Sequence, residues 1–133
     1  LTADLDLVLA LDPGNTKRAF DALGSLGYRP TLPVTAEQFA DSALRERWIR
    51  EKGMTVLNFF SERFKETSVD LFAEAPFDFD AEYQNAYQGE VLPGLNVRFV
   101  SLETLIAMKE QAARGKDHDD LQHLRWILQE RSR

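Results

Sequence analysis

Cysteine is absent from this chain of 133 residues, which excludes a disulfide framework and a thiolate zinc site. No apolar run approaches the roughly 20 residues that a membrane-spanning helix needs, and no signal peptide is recognisable. Positive charge is scarce as well: 16 lysines and arginines stand against 22 acidic residues, a formal net charge of −6. That balance argues against broad, non-specific binding of nucleic acids, which depends on lysine and arginine. We expect a cytoplasmic protein with no membrane association.

The residues that are present suit a globular protein. The sequence is 44% hydrophobic and 29% charged, and a chain of this length can bury roughly two-thirds of its unfolded surface. We therefore expect one domain that covers residues 1–133. The chain starts at Leu1 and enters a strand pattern at once, so we also expect the natural protein to continue upstream of Leu1.

The opening run LTADLDLVLAL alternates apolar and acidic residues, and this alternation predicts a strand over residues 3–11. Successive side chains of a strand point to opposite faces. The core face would carry Leu5, Leu7, Leu9 and Leu11. Asp4 and Asp6 would share the opposite face, with Cα atoms roughly 6.5–7 Å apart. Two like charges held side by side repel each other, so the sequence predicts a compensating positive charge nearby.

Further along, helical spacing, strand-like runs and breaker residues predict an α+β fold. Asp12, Thr35 and Ser101 are the expected helix N-caps. The expected elements of the first part are a helix over about 14–26, an extended segment at YRPTLPV, a helix over about 36–52 that Gly53 ends, and two antiparallel strands at MTVLNFF and TSVDLFA. After them we expect a short helix at FDAEYQNAYQ, a hairpin or two short strands around Pro93-Gly94, and two C-terminal helices joined near Arg114-Gly115.

A third carboxylate, Asp70, lies in the run SVDLF. Val69 and Leu71 would face the core there, which turns Asp70 to the other side of the strand. If this strand lies beside the first one in a single sheet, Asp70 shares a face with Asp4 and Asp6. Three carboxylates on one face can hold two divalent ions about 3.5–4 Å apart, the geometry used for in-line phosphoryl or nucleotidyl transfer. The alternative is that all three are solvated polar residues of exposed strand faces.

Lys109 is unusual because it lies four residues after Leu105, on the apolar stripe of its helix. A lysine at such a position either extends its charged end into solvent or meets an anion. One interpretation gives Asp117 a structural role, as the ion-pair partner of Lys109 between the two C-terminal helices. The other is that Lys109, together with Arg114, contacts phosphate groups or balances the charge of the carboxylates Asp4, Asp6 and Asp70.

Two further groups of polar residues are weaker candidates. A basic run within the second predicted helix comprises Arg45, Arg47, Arg50 and Lys52. We interpret this run as a solvated helix face, with a contact to a nucleotide or a tRNA as the alternative. His118 and His123 are five residues apart, which does not match the spacing of a zinc-binding pair on a helix, so we expect both at the surface.

Two stretches of the sequence resemble one protein family. TADLDLVL is similar to the Thr-x-Asp-hydrophobic-Asp-hydrophobic strand of the nucleotidyltransferase superfamily, whose catalytic fold is DNA-polymerase-β-like. SLETLIAMKEQAARGKDHDDLQHL resembles the C-terminal part of small bacterial nucleotidyltransferase-like proteins, including the AbiEii type of abortive-infection toxins, in which a Leu-Ile-x-x-Lys helix precedes an Arg-x-Lys-Asp-x-x-Asp-Leu segment. The resemblance covers nearly the whole chain. It implies a single nucleotidyltransferase-like domain, with a mixed β-sheet packed against helices and a C-terminal helix pair.

The resemblance also implies a site and a reaction. The family's metal-binding pair falls on Asp4 and Asp6. Its third carboxylate, which also helps to deprotonate the attacking hydroxyl, falls on Asp70. Two Mg²⁺ ions and a nucleoside triphosphate (NTP) would bind there, and Lys109 and Arg114 would contact the phosphates.

The resemblance leaves the acceptor and the activity open. The nucleotidyl group would pass to an RNA end, a protein hydroxyl or a small molecule, and a toxin of this type would have an antitoxin protein as its partner. The family's glycine-rich turn, which holds the phosphates, lies upstream of the Asp-x-Asp strand, and no such turn precedes Asp4 in this sequence. The alternative function is a non-catalytic nucleotidyltransferase-fold domain that binds a nucleotide or a protein partner.

Overall fold

The computed structural model describes residues 3–112. Contacts divide the chain into two compact units, residues 1–75 and 76–133, and each unit has its own sheet. The second predicted C-terminal helix, with Asp117 and both histidines, and the junction at Arg114 before it lie outside the described residues. No helix in the part of the chain that the structure describes is long and apolar enough to cross a membrane. The prediction of one domain stays a prediction.

The first unit combines a four-stranded sheet with helices, as the predicted α+β class requires. Its elements are β1 (Ala3–Leu7), α1 (Pro13–Ser25), β2 (Tyr28–Pro30), α2 (Ala36–Ala40), α3 (Ser42–Lys52), β3 (Val56–Ser61) and β4 (Thr67–Phe72). The strand order is β1-β4-β3-β2. β1 pairs with β4 in parallel, whereas β3 pairs antiparallel with β4, as predicted, and with β2. β1 is shorter than the predicted strand over 3–11, since its ladder with β4 ends at the pair Leu7–Leu71.

The core lies on one face of this sheet because alternate residues of the central strands are apolar. Leu57 and Phe59 of β3 and Leu71 of β4 are almost fully buried, and they belong to one cluster with Phe39 of α2. Leu5 differs from its prediction as a core residue, since its side chain is 50% exposed. The reason is its place on an edge strand: among the described strands, β1 has a neighbour on one side only.

Capping side chains set the helix boundaries, largely as predicted. The Asp12 carboxylate accepts a hydrogen bond from the backbone N–H of Asn15 at 2.8 Å and begins α1. The prediction of one helix over 36–52 was wrong, because Asp41 adopts an extended conformation and its side chain caps α3. An aspartate in a helical run competes for backbone donors in this way. Gly53 ends α3 in the left-handed conformation, as expected.

Within the described residues, the second unit is a hairpin between two helices. Its elements are α4 (Phe79–Asn85), β5 (Tyr87–Leu92), β6 (Leu95–Phe99) and α5 (Leu102–Ala112). The predicted turn is confirmed: Gly94 has a φ of 80°, which suits the third position of a type II turn after Pro93. The helix predicted at FDAEYQNAYQ is shorter than expected, because Tyr87 and Gln88 pair with β6.

Candidate functional site

Five polar side chains share one face of the first sheet, opposite the apolar core. The register pairs Asp6 with Asp70 and Asp4 with Ser68 across β1 and β4, and it pairs Asn58 of β3 with Asp70. Paired residues project to the same side of a sheet. Asp70 therefore shares a face with Asp4 and Asp6, which was the condition set by the sequence. We call the group of Asp4, Asp6, Asn58, Ser68 and Asp70 the carboxylate face.

Hydrogen bonds join two of these carboxylates into a chain. Ser68 Oγ donates to Asp4 Oδ1 at 2.7 Å, and Asn58 Nδ2 donates to Asp70 Oδ1 at 2.7 Å. The same Asn58 amide donates to Ser68 Oγ at 3.4 Å, which completes a path from Asp4 to Asp70. Bonds to an ionised acceptor are stronger than neutral ones. Neutral donors thus supply part of the compensation that the sequence led us to expect from a positive charge.

Burial differs along the carboxylate face. Asp4 and Asp6 lie on the edge strand and are exposed, whereas Asp70, Asn58 and Ser68 lie further into the sheet and are half-buried. The sheet therefore half-buries Asp70 and leaves Asp4 and Asp6 accessible from solvent, although Asp4 also accepts a hydrogen bond from Ser68. A ligand that approaches β1 would meet the exposed pair first.

The donor chemistry of this face suits Mg²⁺, which binds through one or two carboxylates together with phosphate oxygens and water. Within residues 3–112, no three acidic or histidine side chains stand close enough together to hold a metal ion. Asp4 and Asp70 each give one oxygen to a neutral donor instead. Binding of a metal ion by all three carboxylates therefore requires side-chain rotation on this face.

Lys109, the predicted phosphate contact, belongs to the second unit. It lies in the last turn of α5 and its side chain is half-buried. Asp117, its predicted ion-pair partner, and Arg114, the other predicted phosphate contact, lie outside the described residues. The ion pair with Asp117 and the phosphate contact both stay predictions.

Arg45 has a structural role that the sequence analysis missed. Its Nε donates to the backbone oxygen of Ala73 at 3.0 Å, and its Nη1 donates to that of Phe39. Burial lowers the pKa of the Arg45 guanidinium, and neighbouring carboxylates act in the opposite direction. Arg45 therefore ties α3 to α2 and to the end of β4, and the interpretation of a fully solvated basic run was wrong at this residue. The other three basic residues of the run are exposed.

Asn58 and Ser68 were also missed, although the sequence carries a weak signal for each. Ser68 and Asp70 repeat, two residues apart, the polar alternation of Asp4 and Asp6. Asn58 interrupts the apolar run VLNFF at a position whose side chain must leave the core face. A polar residue at such a position in a paired strand is a candidate partner for a carboxylate on the neighbouring strand.

Comparison with known proteins adds no relative to this description. No protein-family model matches the chain, and no curated protein sequence is significantly similar to it. The nucleotidyltransferase resemblance therefore rests on the two quoted motifs, beside a mixed sheet that carries three carboxylates on one face.

Proposed function

We propose that the carboxylate face binds two Mg²⁺ ions and the phosphates of an NTP, and that the chain is a metal-dependent nucleotidyltransferase-like protein of the cytoplasm. The observation that supports this most is the register of β1 and β4. It sets Asp6 beside Asp70, with Asp4 two residues away on the same face. Carboxylates gathered on two adjacent strands are the ligand set that two-metal nucleotidyl transfer uses.

Each carboxylate has a distinct role in this proposal. Asp4 and Asp6 would hold the metal ions, and Asp70 would hold one of them and accept the proton of the attacking hydroxyl. The hydroxyl oxygen would bond to the α-phosphorus of the NTP as the bond from that phosphorus to the leaving pyrophosphate breaks. Mg²⁺ held by these carboxylates would neutralise phosphate charge and favour in-line attack. Asn58 and Ser68 are positioning residues of the metal-free face, because Asn58 donates to Oδ1 of Asp70 and Ser68 donates to Oδ1 of Asp4. Both carboxylates would rotate out of these hydrogen bonds when the metal ions bind.

The remaining partners come to the proposal from the resemblance. By the resemblance, Lys109 and Arg114 are the residues expected to contact phosphate groups. The acceptor would be an RNA end, a protein hydroxyl or a small molecule, and a toxin of this type would be neutralised by an antitoxin protein.

A non-catalytic domain that binds a nucleotide or a protein partner is the second candidate. The hydrogen-bonded path from Asp4 to Asp70 favours it, because two of the three carboxylates already have donors without a metal ion. In that case the carboxylate face is a structural network, and Mg²⁺ has no role in what the protein binds.

Calorimetric titration of the protein with ATP, GTP, CTP and UTP, each with and without Mg²⁺, separates the two candidates. The test variant is Asp4→Asn/Asp6→Asn. The control is Asp21→Asn, which removes an exposed carboxylate of α1 that makes a surface ion pair with Lys17. Mg²⁺-dependent binding that only the test variant loses would support the enzyme. Nucleotide binding that is the same with and without Mg²⁺, and the same in both variants, would support the second candidate. Absence of nucleotide binding would refute the nucleotidyltransferase.

A further inference from the structure

The hairpin of β5 and β6 exposes apolar side chains to an unusual degree. Tyr87 and Leu92 are 67% and 63% exposed, and Leu95 and Phe99 are 49% and 45% exposed. An isolated two-stranded hairpin is at best marginally stable in water, and further strands or packing against a helix stabilise it. Arg98 of β6 contacts Tyr83 of α4, but these four apolar side chains stay exposed, and a further strand beside β6 would cover part of them.

The outer edge of β6 is the better place for that strand. Among the described residues, no third strand pairs with either β5 or β6. β5 carries an irregularity between Glu90 and Leu92, and bulges of this kind bend an edge away from new partners. β6 is regular over Leu95–Phe99 and contains neither proline nor lysine, the residues that usually protect an edge.

We propose that β6 pairs antiparallel with β6 of a second copy of this chain, about a two-fold axis at Val97. In that register Val97 lies opposite the second copy's Val97, and Leu95 lies opposite the second copy's Phe99. Both pairs are apolar and lie on the same face of the sheet. Such a contact is closed by its symmetry, so it makes a dimer and not a filament.

The polar face of β6 is compatible with the same register. Asn96 lies opposite the second copy's Arg98, and the symmetry repeats this contact, so that no like charges face each other. Arg98 is already held in place, because its guanidinium lies 4.1 Å from the centroid of the Tyr83 ring and its Nη1 donates to the backbone oxygen of Tyr83. The result is a continuous antiparallel sheet in the order β5-β6-β6-β5. This inference is independent of nucleotide binding.

Charge substitutions at Asn96 test the register by sedimentation equilibrium of the full chain over a range of concentrations. Asn96→Arg places an arginine opposite each Arg98, which makes two like-charged pairs in the dimer, so we expect dimerisation to weaken by roughly tenfold or more. Asn96→Glu places an acid opposite Arg98, so we expect dimerisation to strengthen. Within one hairpin, Asn96 pairs with Glu90, so an effect on hairpin stability alone would run in the opposite direction.

Cysteine crosslinking tests the position of the two-fold axis. The sequence contains no cysteine, so each single-cysteine variant carries one thiol at a known position. Directly opposite residues of antiparallel strands have Cα atoms about 4.5–5.5 Å apart, which is within the range for a disulfide. We expect Val97→Cys to form a disulfide dimer under mild oxidation, and Asn96→Cys, whose opposite residue is Arg98, to react far more slowly. A monomer at every concentration, equal crosslinking of both variants, or a dimer that does not respond to the charge at position 96 would each overturn the proposal.

Discussion

Substitutions of Asn58 distinguish two interpretations of the carboxylate face, a metal-binding site and a hydrogen-bonded structural network. In the wild type, Nδ2 of Asn58 lies 2.7 Å from Oδ1 of Asp70 and donates a hydrogen bond to it. Asn58→Asp replaces this donor by a second carboxylate. Like charges at that separation repel, so we expect the variant to lose about 1–3 kcal/mol of stability in the absence of metal. Because a divalent ion offsets both charges, added Mg²⁺ should raise the melting temperature of Asn58→Asp by more than it raises that of the wild type.

The control for this prediction is Asn58→Ala, which removes the same hydrogen bond without adding charge. Its loss of stability should not depend on Mg²⁺. The measurement is thermal unfolding by calorimetry in EDTA and in excess Mg²⁺. Equal effects of Mg²⁺ on all three proteins would show that the carboxylate face does not bind the ion.

Arg45 gives the second prediction at this scale. Arg45→Ala leaves the backbone oxygens of Ala73 and Phe39 without their charged donor, so we expect a loss of about 2–4 kcal/mol in the free energy of unfolding. Arg47→Ala, on the same helix, removes an exposed arginine whose contact with Glu51 is 4.0 Å long. It should cost less than about 0.5 kcal/mol. Urea unfolding measures both, and equal losses would mean that Arg45 is not a structural tie.

Individual residues of the candidate site could be predicted only in part. Alternation along each strand shows that Asp4, Asp6 and Asp70 leave the core face. It does not show which residue of another strand lies opposite, because that depends on register. Ser68 meets Asp4 across 64 positions of sequence, and no local pattern carries that information.

Among the elements, the junction of α4 and α5 depends on one carboxylate. Glu82 of α4 accepts a hydrogen bond from the backbone N–H of Ser101 at 2.7 Å and another from the hydroxyl of Thr104 at 2.6 Å. Ser101 is also the predicted N-cap of α5, and its Oγ accepts from the N–H of Thr104 at 3.2 Å. Glu82 thus holds α4 against the first turn of α5.

The stability that Glu82 contributes should depend on pH. Burial raises the pKa of Glu82, whereas the hydrogen bonds from Thr104 and Ser101 lower it by a larger amount. The pKa of Glu82 in the folded protein therefore lies below its usual value of 4.5. A carboxyl whose pKa is lower in the folded state contributes stability that is fully present above its unfolded pKa. That contribution is lost as the pH falls through the folded pKa. We expect Glu82→Gln to destabilise the protein by about 1 kcal/mol at pH 7, with a difference that shrinks below about pH 4.

Urea unfolding at a series of pH values measures this difference. Glu103→Gln is the matched control, since it makes the same substitution at an exposed position in the first turn of α5. Its effect should be smaller, because Glu103 does not make the two bonds that Glu82 makes. If wild type and Glu82→Gln differ by the same amount at pH 3 and pH 7, ionisation of Glu82 does not stabilise the junction.

Local signals explain which elements were predictable. Asp12, Ser101 and the turn at Gly94 were expected because a cap or a left-handed glycine is recognisable within a few residues. The break at Asp41 was not, because an aspartate is tolerated inside a helix as well as at its start. The break between α2 and α3 is stabilised by Arg45, which donates to the backbone oxygen of Phe39 on the other side of it. Helical periodicity in the sequence does not reveal this contact.

For the whole molecule, the α+β class followed from the sequence but the sheet order did not. The antiparallel pair of β3 and β4 joins neighbouring segments of the chain, so its strands could be paired from their proximity in sequence. The parallel pair of β1 and β4 spans most of the first unit, and the sequence supported it only as a condition for the carboxylate face. Long-range pairing is decided by which apolar faces fit together around the core.

That order of strands predicts where the molecule is most sensitive to loss of apolar contact. Leu71 and Leu5 are both leucines of the β1–β4 ladder, but Leu71 is fully buried and Leu5 is 50% exposed. Leu71→Ala removes contacts on the core side of the sheet and leaves a cavity, so it should cost about 2–5 kcal/mol. Leu5→Ala lies at the solvent edge and should cost less than about 1 kcal/mol. Guanidinium unfolding compares the two, and similar losses would mean that β1 is not an edge strand and that the carboxylate face is built differently.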